Sequence, residues 1–111
     1  MTTVADVLAL AADLLAERGW VAQRTGRSGD RRLTTLSAIT VAVDRLAGSG
    51  PDSAELHQAA LDAVCRGVWG VAECHSSKSQ TVGRFDRQRG QTAERVVTTL
   101  RRVAAKREAA A

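Results

Sequence analysis

Aromatic side chains are scarce: they make up 3% of the chain, as Trp20, Trp69 and Phe85, with no Tyr. A core without many large rings must be assembled from Ala, Val and Leu. Small apolar side chains suit close helix–helix packing better than a β-sandwich. Long apolar runs are also missing. None approaches the ~20 residues that a membrane span needs, so no membrane insertion is expected. The first residues lack the pattern of a secretory signal, because Asp6 and Asp13 interrupt the apolar stretch; a cytoplasmic protein is expected. Two cysteines are too few for a disulfide scaffold, and a Cys65–Cys74 bridge is not expected in that compartment. Neither G-x-G-x-x-G nor G-x4-G-K-[ST] occurs, so no glycine-rich phosphate loop is present.

What remains is an ordinary folding composition, 44% hydrophobic and 25% charged, in a length of 111 residues that fits a single domain over 1–111. The net charge is +4 and the pI about 10.0, carried by 14 Arg and 2 Lys. The Arg preference fits bidentate pairing with phosphate or carboxylate, and equally a GC-rich coding sequence. Charge is unevenly placed. Residues 24–45 carry +3 and residues 76–111 carry +6, while 1–23 and 46–75 carry −2 and −3. Such acidic and basic segments also attract one another within a fold.

The pattern predicts a mainly α protein, a compact bundle of about four helices, and allows a small β-hairpin between helices 1 and 2. Thr3 caps a first helix, with Asp6 three residues on and Val4, Val7, Leu8, Ala11, Leu14 and Leu15 in one stripe. Gly19 ends it, and Trp20 folds back as an apolar staple. Arg24–Arg32 has the composition of a turn, with Gly26, Ser28, Gly29 and Asp30; short strands at Val21–Arg24 and Arg31–Leu33 would make the hairpin. A second helix spans about Leu36–Ala47, capped by Thr34 or Thr35. Gly48-Ser49-Gly50-Pro51 stops it, and Asp52 or Ser53 caps a third helix with the stripe Leu56, Ala60, Ala63, Val64, Val68 and Val71. Gly67 and Gly70 either admit a close helix crossing or break that helix near Trp69. Residues 75–91 read as a long ordered loop. Thr92 caps the last helix, with Val96, Val97, Leu100, Val103 and Ala104 inward and Arg95, Arg102 and Lys106 outward.

Chemistry-bearing residues are sparse. His57, Cys65, Cys74 and His75 match a zinc inventory, but no Cys-x2–4-Cys or His-x3–5-His pair exists; no metal and no cofactor are expected. Cys74, His75, Ser76 and Ser77 are neighbours in sequence, and adjacent side chains diverge too much to make a nucleophile–base pair. The basic segments are better candidates. Arg24, Arg27, Arg31 and Arg32 form one phosphate clamp; Arg84, Arg87 and Arg89 form another, with Phe85 among them as a stacking residue and Asp86 beside it.

Several of these residues carry a resemblance. Leu14-Leu15-Ala16-Glu17-Arg18-Gly19-Trp20-Val21-Ala22-Gln23, then Ser37-Ala38-Ile39, then Phe85 to Val96 before Leu100 resemble an uncharacterised small-domain family of actinobacteria and their phages, a domain of unknown function. In that family a Gly-Trp ends helix one, and a Trp-Asn-Asp followed by Gly-Arg-Thr leads into the last helix. Phe85-Asp86 and Gly90-Gln91-Thr92 match those positions, with Phe for Trp and Gln91 for Arg; no Cys-x-x-Gly-Ala pattern precedes Ile39. The resemblance implies a small, mainly helical, cytoplasmic fold and no particular activity. Within the pattern the aromatic–Asp pair reads as a loop anchor and Thr92 as a cap.

The sequence thus points to a small basic non-enzymatic binding protein. Its expected partner is nucleic acid or an acidic protein surface, met through Arg24, Arg27, Arg31, Arg32, Arg84, Phe85, Asp86, Arg87 and Arg89. The alternative is a small-molecule enzyme or ligand-binding protein with a pocket near Trp20, Trp69 and the 75–91 loop. A homodimer through Ala-rich helix faces is a further arrangement.

Overall fold

The computed structural model describes residues 2–23, 26, 28–69 and 78–110. Five helices follow one another: α1 (Val4–Arg18), α2 (Thr35–Ala47), α3 (Pro51–Trp69), α4 (Lys78–Asp86) and α5 (Ala93–Ala110). Their boundaries follow from local chemistry. Thr3 and Asp6 close a full capping box, each side chain accepting the other's backbone N–H. Thr34, not Thr35, caps α2 by accepting the Ser37 amide. Pro51 opens α3, where its missing N–H costs nothing. The Gly50 carbonyl accepts Ala54 N–H and the Ser53 hydroxyl, so Asp52 and Ser53 sit inside the first turn rather than capping it. Thr92 caps α5 by accepting Arg95 N–H at 3.2 Å.

The helices share one core of small aliphatic side chains, with Leu8, Leu15, Ile39, Leu61, Val82 and Leu100 among the fully buried ones. α1 is the central element and packs against α5, α2 and α3. The radius of gyration, 13.0 Å, is the ~13 Å of a compact chain this long. No helix among the described residues is long and apolar enough to cross a membrane.

Two expectations are corrected. The first is the helix count, five rather than about four. The segment read as a loop holds α4 at Lys78–Asp86. Its signal is faint: nine residues, a glycine in the middle at Gly83, and Thr81, Val82, Phe85 and Asp86 as its buried set. The second is the hairpin. No strand forms among the described residues; a single bridge pairs Trp20 with Leu33, and it is parallel. Val21 N–H donates to the Leu33 carbonyl and Leu33 N–H to the Gly19 carbonyl, both at 3.0 Å. Parallel pairing needs a long crossover where a hairpin needs a tight turn, so Trp20 and Leu33 do not belong to the two arms of a hairpin. Arg24, Arg27, Gly70, Val71, Cys74 and His75, and the Trp69 side chain, lie outside the described residues.

Gly67 admits the close crossing foreseen for it. A Cβ there would stand 2.5 Å from Val103 Cγ2 of α5. Gly67→Ala is expected to destabilise by about 1–2 kcal/mol, overpacking outweighing the ~1 kcal/mol gain in helix propensity. In a Val103→Ala background the same substitution should turn neutral or stabilising, and denaturant titration of the double-mutant cycle reads the reversal. An additive cycle would show that the two helices do not meet there.

Candidate functional site

The centre of the site is a carboxylate. Asp86, in the last turn of α4, is 1% exposed. Burying a charge without partners is costly, and here three donors from two other segments meet it. Trp20 Nε1–H donates to Oδ1 at 3.0 Å, the Thr35 amide donates to Oδ2 at 2.8 Å, and the Thr35 hydroxyl donates to Oδ1. Thr35 is the first residue of α2, so its amide is one of the four that a helix start leaves without an internal partner. Asp86 therefore caps α2 from a different helix, at the positive end of the α2 dipole. Trp20, half-buried, packs against the core while its indole N–H makes this bond.

Burial pushes the Asp86 carboxyl above the ordinary carboxylate range. The Thr35 hydroxyl, the Trp20 indole, the Thr35 amide and the Arg87 charge pull it back down, by less. The arrangement is suited to fastening and poorly suited to proton transfer, because all three contacts are spent on the fold. The Thr40–His57 contact is equally unsuited to nucleophile activation. Thr40 Oγ1 donates its hydrogen to the Leu36 carbonyl, so at 3.0 Å it accepts from His57 Nε2–H. No cluster of three or more metal-type ligands occurs among the described residues.

Around this lock lie the arginines. Arg31 and Arg32 precede Thr35 by four and three residues, and Arg84, Arg87 and Arg89 lie within three residues of Asp86. At no more than ~3.6 Å of chain per residue, the Cα atoms of each set lie within about 15 Å of the Cα of Thr35 or Asp86. Arg31, Arg32, Arg84, Arg87 and Arg89 are exposed. Arg32 is engaged: its amide and its Nε and Nη2 all donate to Asp30 at 3.1 Å. Its stem also covers Gly19, where a Cβ would lie 3.1 Å from Arg32 Cγ. Asp30 raises the Arg32 pKa further. The turn carrying Arg87 and Arg89 is stitched down too. Gln91 Nε2–H donates to the Phe85 carbonyl at 2.8 Å and Arg95 Nη1–H to the Gly90 carbonyl at 3.2 Å, with Gly90 at a φ of +78°.

Phe85 is 3% exposed and Asp86 1%, so neither presents a surface to a partner. Phe85 cannot stack a base while α4 is folded. The pair anchors, as its motif suggests, but from the end of a helix.

The chain matches the model of a family of unknown function, DUF6197, over residues 1–106. It belongs to that family. No curated protein matches the chain, and no solved structure does. Gly19-Trp20 and Phe85-Asp86, the residues on which the resemblance rests, are in this DUF6197 member the two halves of one hydrogen-bonded lock. Membership assigns no activity, so function is argued from the site.

Asp86→Ala leaves two buried donors of Thr35 and the half-buried Trp20 indole unpaired and is expected to cost about 2–4 kcal/mol; Trp20→Phe should cost about 1 kcal/mol, and far less once Asp86 is gone. The pH dependence has a sign. With its folded pKa raised, Asp86 holds its proton more tightly folded than unfolded. Its contribution is full below the usual ~3.9 and is lost as pH rises through the raised value. The stability gap between wild type and Asp86→Asn should therefore be largest near pH 4 and shrink at higher pH in denaturant melts. A gap that widens with pH would contradict this.

Proposed function

We propose that this protein is a non-enzymatic cytoplasmic binding protein whose arginines around the Asp86 lock engage the phosphate backbone of a nucleic acid. The observation that carries the reading is convergence. Two arginine-bearing segments, far apart in sequence, meet where Thr35 touches Asp86. The backbone of each is held by hydrogen bonds at its turn, so little backbone ordering entropy is lost on binding. Among the described residues no carboxylate makes an ion pair with Arg31, Arg84, Arg87 or Arg89. Exposed guanidinium groups that make no ion pair suit a phosphate oxygen.

The burial of Phe85 narrows the proposal. With no stacking ring from α4, the affinity comes from phosphate contacts and carries little sequence information. Four such arginines predict a slope of roughly −3 to −4 in log K against log salt on duplex DNA. Fluorescence anisotropy with a labelled duplex at several salt concentrations measures it. Replacing Arg84, Arg87 and Arg89 together by Ala should flatten the slope by about three units and leave the protein folded, since all three are exposed. Absence of binding at low salt, or a slope the triple variant does not alter, would refute the proposal.

A further inference from the structure

Between α3 and α5 lies a groove of about 270 Å³ that shares no lining residue with the lock. Its floor is apolar and small: Ala63 and Gly67 of α3 and Val103 of α5. Every other residue lining it is a cation, Arg66, Arg102, Lys106 and Arg107. Arg66 is held by Asp62 at 2.7 Å. Arg102 Nη2–H reaches the Gly67 carbonyl at a long 3.4 Å. Among the described residues no carboxylate pairs with Arg102, Lys106 or Arg107.

Helix electrostatics account for part of this. Arg66 and Arg107 stand in the last turns of their helices, where a cation complements the dipole. Arg102 and Lys106 gain less from it. They are also an i, i+4 pair of like charge, which destabilises a helix by a few tenths of a kcal/mol. An anion between them turns that repulsion into two charge-assisted contacts. The size of the groove limits the occupant, since pockets for drug-sized molecules begin near 300 Å³. A bare anion leaves the apolar floor unused, and a neutral molecule leaves the cations unused.

We propose that this groove binds a small amphiphilic anion, with a carboxylate or phosphate head between Arg102 and Lys106 and a short apolar body over Ala63, Gly67 and Val103. The site is independent of the arginines near Asp86. The test is a ¹⁵N–¹H NMR titration of the full chain with three probes: octanoate, octanol and acetate. Octanoate should bind saturably at 1:1 and shift the amides of Ala63, Gly67 and Val103. Octanol and acetate should bind at least about tenfold more weakly, each lacking one half of the recognition. Arg102→Gln/Lys106→Gln, both exposed positions, should weaken octanoate about tenfold while leaving the rest of the spectrum in place. The proposal is overturned if octanoate does not bind, if octanol or acetate matches it, if the shifts map elsewhere, or if the double variant binds as well as wild type.

Discussion

The structure depends on one carboxylate. Asp86 is buried at the end of α4 and receives the Trp20 indole, the Thr35 amide and the Thr35 hydroxyl. Taken alone, a buried carboxyl opposes folding. Met by three donors, it fastens the exit of α1, the start of α2 and the end of α4 at a single point. Apolar packing is not directional. In a core of Ala, Val and Leu with few rings, these directional bonds fix how the end of α4 sits against the other two helices. The parallel Trp20–Leu33 bridge serves the same point, bringing the chain back beside α1 just before Thr35.

The lock also organises the surface. By joining Thr35 to Asp86 it ties the segment that carries Arg31 and Arg32 to the one that carries Arg84, Arg87 and Arg89, and the Asp30–Arg32 fork and the Gln91–Phe85 bond keep the flanking turns in place. Phe85 and Asp86 are buried in the fold while the arginines beside them are exposed. Under the proposed function the first pair holds the segment and the arginines meet the partner. The groove between α3 and α5 is lined by a different set of residues, with its own cations and its own apolar floor.

Much of the fold is legible in the sequence where the determinants are local. The Thr3–Asp6 box, the α1 stripe, the stop at Gly48-Ser49-Gly50-Pro51 and the Thr92 cap each depend on residues within one or two turns. What escapes is non-local or short. In α4, Val82 and Phe85 supply too little periodicity around Gly83 to outweigh its polar neighbours. The bridge at Leu33 looks like half a hairpin because pairing direction is not written in composition. Asp86 stands out as part of an aromatic–acid pair, yet its donors lie 51 and 66 residues away, and no spacing rule reaches that far. The paired resemblance signals, Gly19-Trp20 and Phe85-Asp86, were the available clue that the two positions meet.

The lock itself is most directly tested by hydrogen exchange at the two N–H groups that bond the carboxylate. The Trp20 indole N–H and the Thr35 amide should both be protected in the wild type and should exchange together. In Asp86→Ala both should lose protection, while amides in the α1 and α5 interiors stay protected relative to the variant's overall stability. A Trp20 indole N–H that exchanges in the wild type as fast as a free indole would contradict the account.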